Sequence, residues 1–415
     1  MQAVQISIGN ELLNGKTVNS NASFISGRLY DIGIVTEQVL TIHDEAEKIT
    51  ESLSQALAKG DIVIITGGLG PTHDDITKKV IADYFDSELV FDEAIMKKVE
   101  ERFRSRGLVM PEVNRDQALM PDKARKIDNP VGTAAGIHFE DAGKHIFVLP
   151  GVPREMKAML DGSIIPFLQE IARIGKIDVH LYRTTGITES KLYEKCRDLF
   201  AGYRDYEIAF LPKFTGVDIR IAVTEQAEKA AGFREFESAF YKIAGKYIYT
   251  KGAKELEAAV GDILREKKMT FAVAESCTGG LIGHKITNVA GSSAYHLGGV
   301  LTYSNESKMK FLGVREASLM QHGAVSAEVA REMADGARRN LGADVALATT
   351  GIAGPGGGTP EKPVGLLYVG LATPEKAVAR KFQLGGSRII NKEQGAQFAL
   401  ELLRRELLGI ETKAS

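Results

Sequence analysis

Tryptophan is absent from this 415-residue chain and cysteine occurs only twice, at Cys196 and Cys277. Two cysteines so far apart give neither a disulfide framework nor the paired spacing of a zinc site. The fold must therefore rest on hydrophobic cores, and a reducing cytoplasm is the expected location. A surplus of either charge is also missing: 52 Lys and Arg stand against 54 Asp and Glu, a net charge of -2. Without a basic field, nucleic acid and acidic membrane are not expected partners. No run approaches the ~20 apolar residues of a membrane span, and the opening MQAVQISIGNE lacks the long apolar core of a signal peptide.

What is present is an ordinary globular composition, 44% hydrophobic and 26% charged, in a length that suits two or three domains. The 43 glycines are clustered, which predicts tight loops approaching ligands or neighbouring backbone.

Residues 1 to about 170 alternate strand-like and helix-like stretches: strands at Val4 to Ile8, Ile34 to Leu40 and Asp61 to Thr66, helices near Ala22 to Tyr30 and Glu45 to Leu57. Such alternation predicts a parallel sheet covered on both faces, with its site in the loops after the strands. Glu11 falls after the first strand. After the third comes TGGLGPTHDDIT, a Gly-rich turn opening a helix from Ile76 to Phe85. Gly67, Gly68 and Gly70 would let backbone approach a phosphate, and Asp74 and Asp75 could hold a divalent cation beside it. A plain helix cap is the alternative use of either aspartate. NPVGTAAG, with Asn129 and Gly132, precedes a hairpin whose turn centres on Asp141 to Gly143. LPGVPREMKAM then feeds a helix through Pro150 and Gly151, with Glu155 in its first turn, again a geometry that faces an anion or simply stiffens a turn.

Residues 171–250 read as a small α+β unit in which GVDIRIAV alternates cleanly, one face buried and one meeting solvent or a neighbour. The segment has no GxxG clamp with basic flanks, so a linker or dimer-contact role is expected over RNA binding.

In residues 251–415 the decisive stretch is AESCTGG, Ala274 to Gly280, where an apolar strand breaks into small polar residues and Gly-Gly before a helix. Unpartnered N–H groups would face Ser276 and Thr278, a place for an oxyanion or phosphate. GGVLTYSNESK reads as a further strand running to Tyr303, with Lys308 beyond it on a helix from Asn305 to Leu312. A serine hydroxyl is a weak nucleophile until a base takes its proton, and a lysine of depressed pKa can be that base. Ser276 with Lys308, and Tyr303 as proton relay, is the expected amide-hydrolysing set, with backbone N–H groups of Ser276 to Thr278 receiving the oxyanion. Cys277 is a rival nucleophile. The loop from Thr350 to Gly365, TGIAGPGGGTPEKPVG, is long enough to expect a function.

In order, TGGLGPTHDD, NPVGTAAG, LPGVPREMK, AESCTGG, AGSSAY, TYSNESK, HGAVS and TGIAGPGGGTPEKPVG resemble the CinA family of competence/damage-inducible proteins along nearly the whole chain. The resemblance implies a three-layer α/β molybdopterin-binding-like domain over residues 1–170, a KH-like α+β domain over 171–250 and a C-terminal α/β amidohydrolase domain over 251–415. It further implies hydrolysis of nicotinamide mononucleotide by Ser276, Tyr303 and Lys308 with no cofactor. Thr278, Gly279, Gly351, Gly354 and Gly356 would frame the carboxamide and ribose phosphate, and Arg388 would suit the phosphate; Lys392 stands where a second Arg is usual. For the first domain it implies cleavage of ADP-ribose to AMP and ribose 5-phosphate with Mg2+, Mn2+ or Co2+. Asp75 and Asp44 match acidic positions of the relatives, whereas Asn10 and Asn19 depart from the usual residues. A homodimer is implied as well. A non-catalytic adaptor in DNA uptake or damage response, and a pterin-binding first domain, are the competing expectations.

Overall fold

The computed structural model describes residues 1–70, 75–172, 177–224 and 232–411. The chain divides into two compact units, Met1–Asp178 with Thr224–Gln226, and Val179–Val223 with Ala227–Ser415.

In the first unit, β1 (Gln2–Ile8) lies between β2 (Val35–Ile42) and β3 (Ile62–Thr66), and β3 pairs in turn with β8 (Lys144–Leu149); all of these pairings are parallel. Alternation along the strands divides the side chains between two cores. Val4, Ile6, Val63 and Ile65 pack with Ile49, Leu53, Ile81 and Val99 of the helices Ala46–Lys59, Thr77–Tyr84 and Glu93–Ser105. Ala3, Ile62 and Ile64 face Ile25, Leu29, Met156 and Met159 of Ser20–Tyr30 and Pro153–Met159. The sheet is therefore covered on both faces, as expected. It is mixed, not wholly parallel: β7 (Gly136–Asp141) and β6 (Arg125–Ile127) complete the order β2-β1-β3-β8-β7-β6 antiparallel. The cause is the hairpin turn, where Ala142 and Gly143 both have positive φ, 48° and 77°, the twist that suits a two-residue connection. Between residues 86 and 128 the chain also forms a helix, a 3-10 segment and the two-stranded pair β4 (Leu89–Phe91) and β5 (Leu119–Pro121), none of which the sequence reading placed.

The second unit contains two sheets. The strands β9 (Ile177–Thr184), β10 (Glu207–Lys213), β11 (Gly216–Thr224) and β12 (Ile248–Lys251) lie in the order β10-β11-β9-β12, over a core rich in aromatics such as Tyr182, Phe236 and Phe240. The strands β13 (Phe271–Glu275), β14 (His296–Leu301), β15 (Val345–Gly351), β16 (Leu366–Ala372) and β17 (Ala377–Gln383) lie in the order β14-β13-β15-β16-β17. β13 is parallel to both neighbours, and β16 and β17 are antiparallel additions. Phe271, Val273, Val345 and Leu347 face the helices Leu256–Lys267 and Arg388–Leu408, while alanines 272, 274, 346 and 348 meet Ala327–Leu341.

Within the second unit, polar contacts join the domain expected over residues 171–250 to the one expected over 251–415. Arg404, 2% exposed, pairs with Glu401 and donates to the Lys246 carbonyl at 2.6 Å. Arg183 donates to the carbonyls of Ala253 and Lys254, each at 3.2 Å.

Candidate active sites

β13 ends in Glu275, and the chain turns through Ser276, Cys277, Thr278 and two glycines before the helix Leu281–Thr287. Gly279 and Gly280 have φ of 66° and 89°, the left-handed region a glycine enters without a Cβ clash. Glu275 folds back over the turn and accepts from the N–H groups of Ile282 (3.1 Å) and Gly283 (2.9 Å) and from Thr278 Oγ1 (2.6 Å). Thr278 Oγ1 also lies 2.7 Å from Thr349 Oγ1, and the Thr349 carbonyl accepts from the Ser276 N–H at 3.0 Å. This network is buried and fixes where the Ser276 side chain starts.

Three expectations change here. A protein carboxylate already complements the positive end of the helix, so its first N–H groups do not wait for an external anion. Thr278, expected to touch substrate, turns inward to Glu275 and Thr349. Of the three N–H groups expected to receive an oxyanion, that of Ser276 is taken by Thr349.

Lys308 arrives from the other side of the turn. β14 stops at Leu301, and Lys308 sits on the helix Asn305–Leu312, started by a Ser304–Ser307 capping box. Its side chain is 1% exposed. Nζ donates to Ser276 Oγ (3.1 Å), to the Thr302 carbonyl (2.8 Å) and to the Tyr303 carbonyl (3.3 Å). Burial holds the ammonium below its usual pKa, partly offset by the neighbouring Cys277. Desolvation pushes the Cys277 thiol up to about 12, so only about one part in 10^5 is thiolate at pH 7. Cys277 is thus a poor rival to Ser276, and its sulfur packs beside Gly351, where a Cβ would lie 3.2 Å away.

Tyr303 is not where a relay needs it. Alternation past the strand end turns Thr302 inward and Tyr303 outward, the latter 64% exposed. Its hydroxyl meets Arg388 Nη2 at 3.1 Å, and Arg388 Nη1 donates to the Gly354 carbonyl at 2.7 Å. Asn391 Nδ2, in the same first turn of the helix Arg388–Leu408, donates to the Ala353 carbonyl at 3.0 Å. Gly354 is buried, whereas Gly356 is exposed with open space around it. Lys392 reaches Gly279, where a Cβ would stand 3.3 Å from Nζ. Asn391 escaped the sequence reading, although its place one turn past Arg388 was a usable signal.

In the first unit the motif loops meet at the carboxyl edge of the sheet. Gly67 donates to the Leu149 carbonyl at 3.0 Å, beside buried Pro150, and Asn21 Nδ2 donates to the Gly151 carbonyl at 2.7 Å. Asn129 is 2% exposed and serves its own loop: Oδ1 accepts from the N–H groups of Val131 and Gly132, and Nδ2 donates to the Ala134 carbonyl and to Glu155 Oε2. Expected as a ligand residue, Asn129 is instead the staple of the turn. Glu155 lines a cleft of about 320 Å³ together with Gly132, Arg102, Arg106 and Arg154. The sequence reading passed over these arginines because two of them belong to the unread stretch before residue 128.

The expected metal ligands do not gather. The Glu11 carboxylate lies over Gly9 and that of Asp75 over Gly70, Asp44 is half-buried, and Asp74 lies outside the described residues. Among the described residues no three of His, Cys, Asp and Glu come together as a cation-holding group. Asn19, where an acid is common, caps the helix Ser20–Tyr30 through Ala22 N at 3.1 Å. Asn10 pairs with His43 at 2.6 Å. Among the described residues, the carboxylates do not make up a site for a divalent cation held by side chains alone.

The chain was compared with known proteins. A "CinA-like protein" of Salinibacter ruber is 43% identical over 98% of this chain and 100% of its own length. This chain belongs to the CinA family. A second "CinA-like protein", from Chloroherpeton thalassium, is 42% identical over 98% of this chain and 99% of that one. Three family profiles match in succession: "Probable molybdopterin binding domain" over residues 5–170, "Damage-inducible protein CinA KH domain" over 180–250 and "CinA C-terminal domain" over 253–407. Among solved structures, "the protein CinA with unknown function from Thermoplasma acidophilum" is 36% identical, covering 39% of this chain and 94% of that one with a TM-score of 0.36. This CinA-family chain thus carries a molybdopterin-binding-like domain, a KH domain and a CinA C-terminal domain. Among its described residues no helix is long and apolar enough to cross a membrane.

Proposed function

We propose that the C-terminal domain is an amidohydrolase acting on nicotinamide mononucleotide, with Ser276 as nucleophile and Lys308 as its base. The observation that carries this reading is the Lys308 Nζ to Ser276 Oγ distance of 3.1 Å at an almost fully buried amine. Two carbonyl acceptors, Thr302 O and Tyr303 O, can hold both N–H bonds of a neutral amine and leave its lone pair toward the serine. Oγ attacks the carboxamide carbon as Lys308 takes its proton. The resulting ammonium returns that proton to the departing nitrogen, which leaves as ammonia. Water, deprotonated by the same amine, then opens the acyl-serine and frees the acid product and Ser276. Arg388 and Lys392, two cations one turn apart on one helix face, supply charge for the substrate's phosphate.

For the first domain, we propose ADP-ribose as substrate. The support is the arginine-lined cleft beside Gly132 and Glu155, which suits a diphosphate. The described carboxylates make no cation site, so no step is routed through a metal. Mass spectrometry of the full chain with nicotinamide mononucleotide and with ADP-ribose, each with and without a chelator, tests both readings. Ammonia and nicotinate mononucleotide are expected from the first substrate regardless of chelator, and AMP with ribose 5-phosphate from the second. An intact protein that releases neither set of products would return the adaptor reading to the front.

A further inference from the structure

We propose that Tyr303 is a positioning residue for Arg388, setting the guanidinium that receives the anionic end of the substrate, and takes no part in moving the proton between Ser276 and Lys308. The inference rests on the amidohydrolase reading of this domain and assigns Tyr303 within it.

Three observations carry it. The lysine has no opening for a phenol: an ammonium has three N–H bonds, and Lys308 directs one each to Ser276 Oγ, Thr302 O and Tyr303 O. What Tyr303 offers Lys308 is its main-chain carbonyl, which any residue would supply. The ring projects the other way, 64% exposed, and its hydroxyl accepts from Arg388 Nη2 at 3.1 Å. Arg388 is held from the opposite side by the Gly354 carbonyl on Nη1, at 2.7 Å.

The guanidinium is thereby stretched between the end of β14 and the loop after β15. Two of its five N–H groups are fixed by protein, and the other three are left for oxygen atoms of a ligand. Lys392, four residues on, lies beside Gly279 and supplies a second positive charge on the same helix face. A phosphomonoester matches this set: it is dianionic near neutrality and has several acceptor oxygens. Tyr303 therefore determines affinity for phosphorylated substrates, whereas the Ser276–Lys308 chemistry is indifferent to it.

The test is steady-state ammonia release by the full-length protein and its Tyr303→Phe variant on nicotinamide mononucleotide and on nicotinamide riboside, which lacks the phosphate. Removing one hydrogen bond to a charged group is expected to raise KM for the mononucleotide about tenfold. kcat should stay within about twofold, and kcat/KM for the riboside should be unchanged. In an Arg388→Ala background the same substitution should add nothing. A fall in kcat of about 100-fold on both substrates is the signature of a proton relay and would overturn the assignment. Equilibrium binding of nicotinate mononucleotide to both proteins is read without turnover. Weaker binding to Tyr303→Phe supports the assignment and equal binding refutes it, even if the wild-type protein released no ammonia and the amidohydrolase reading fell by itself.

Discussion

The loop after β3 and the loop after β13 begin alike. Each follows a buried parallel strand, each turns on paired glycines with positive φ, and each leads into a helix. They diverge in what reaches them from elsewhere. At the second, a buried lysine comes from a helix 32 residues further on and meets the serine at 3.1 Å. At the first, the interior of the turn is filled by main chain and a buried hydroxyl: a Cβ on Gly67 would fall 2.2 Å from the Ile8 carbonyl, and one on Gly68 1.9 Å from Thr77 Oγ1. Among the described residues no three acids gather there, and positive charge enters through arginines of a neighbouring cleft. A Gly-rich turn after a strand therefore specifies close backbone approach. Covalent chemistry needs a second buried group delivered by another part of the fold.

The largest break of that comparison is expected from Ser276→Ala, which should reduce ammonia release by at least about 10^3-fold while AMP formation from ADP-ribose, followed by mass spectrometry, continues unchanged. Loss of both activities in a folded variant would mean the two loops do not act separately. Lys308→Met should cost about 10^2- to 10^4-fold in kcat, and Lys308→Arg should not restore it, because a guanidinium stays protonated. The wild-type rate should also rise with pH through the lysine's lowered pKa, since the neutral amine is the reactive form and burial disfavours the charged one. A rate independent of pH up to the ordinary lysine range would remove Lys308 from the role of base.

Smaller effects are expected at the first loop. Gly68→Ala forces a side chain into φ 66° and against Thr77, at a cost of about 1–3 kcal/mol. Thermal unfolding should show the loss, together with weakened AMP formation and intact ammonia release. The smallest effect is the response of the first unit to acid. His138 Nε2 and His145 Nδ1 lie 3.2 Å apart, with Arg125 and Glu140 as the charged neighbours. Burial lowers the pKa of both rings, that of His138 to about 4. The folded unit then binds fewer protons than the unfolded chain. Stability is whole above the unfolded value near 6.5 and falls as pH drops toward 4, by less than about 1.4 kcal/mol per pH unit for His138, with His145 acting in the same direction. His138→Phe should flatten that decline in melts taken across this range. An unchanged slope would show that the pair does not set it.

Much of the fold was legible because its signals are local. The strands and helices around the motifs fell within a few residues of expectation, since alternation and helical periodicity are written in adjacent positions. The stretch from residue 86 to 128 was not legible. Its strands are three residues long and its 3-10 segment has no amphipathic period, so Arg102 and Arg106 went unnoticed. At the second site the serine and lysine were legible from strand-end position and spacing. The partners of Thr278, Glu275 and Tyr303 were not, because hydrogen bonds such as Tyr303 to Arg388 join residues 85 positions apart.

Sequence alone determined which residues could be reactive, where the backbone must bend, and that apolar strands would bury themselves between helices, because these follow from side-chain chemistry and short-range periodicity. Only the tertiary structure decided that Lys308 would be dry and aimed at Ser276, that Tyr303 would face Arg388, and that Asn129 would staple its own turn. Dehydration and direction depend on every element packed around a group, and no short stretch of chain contains them.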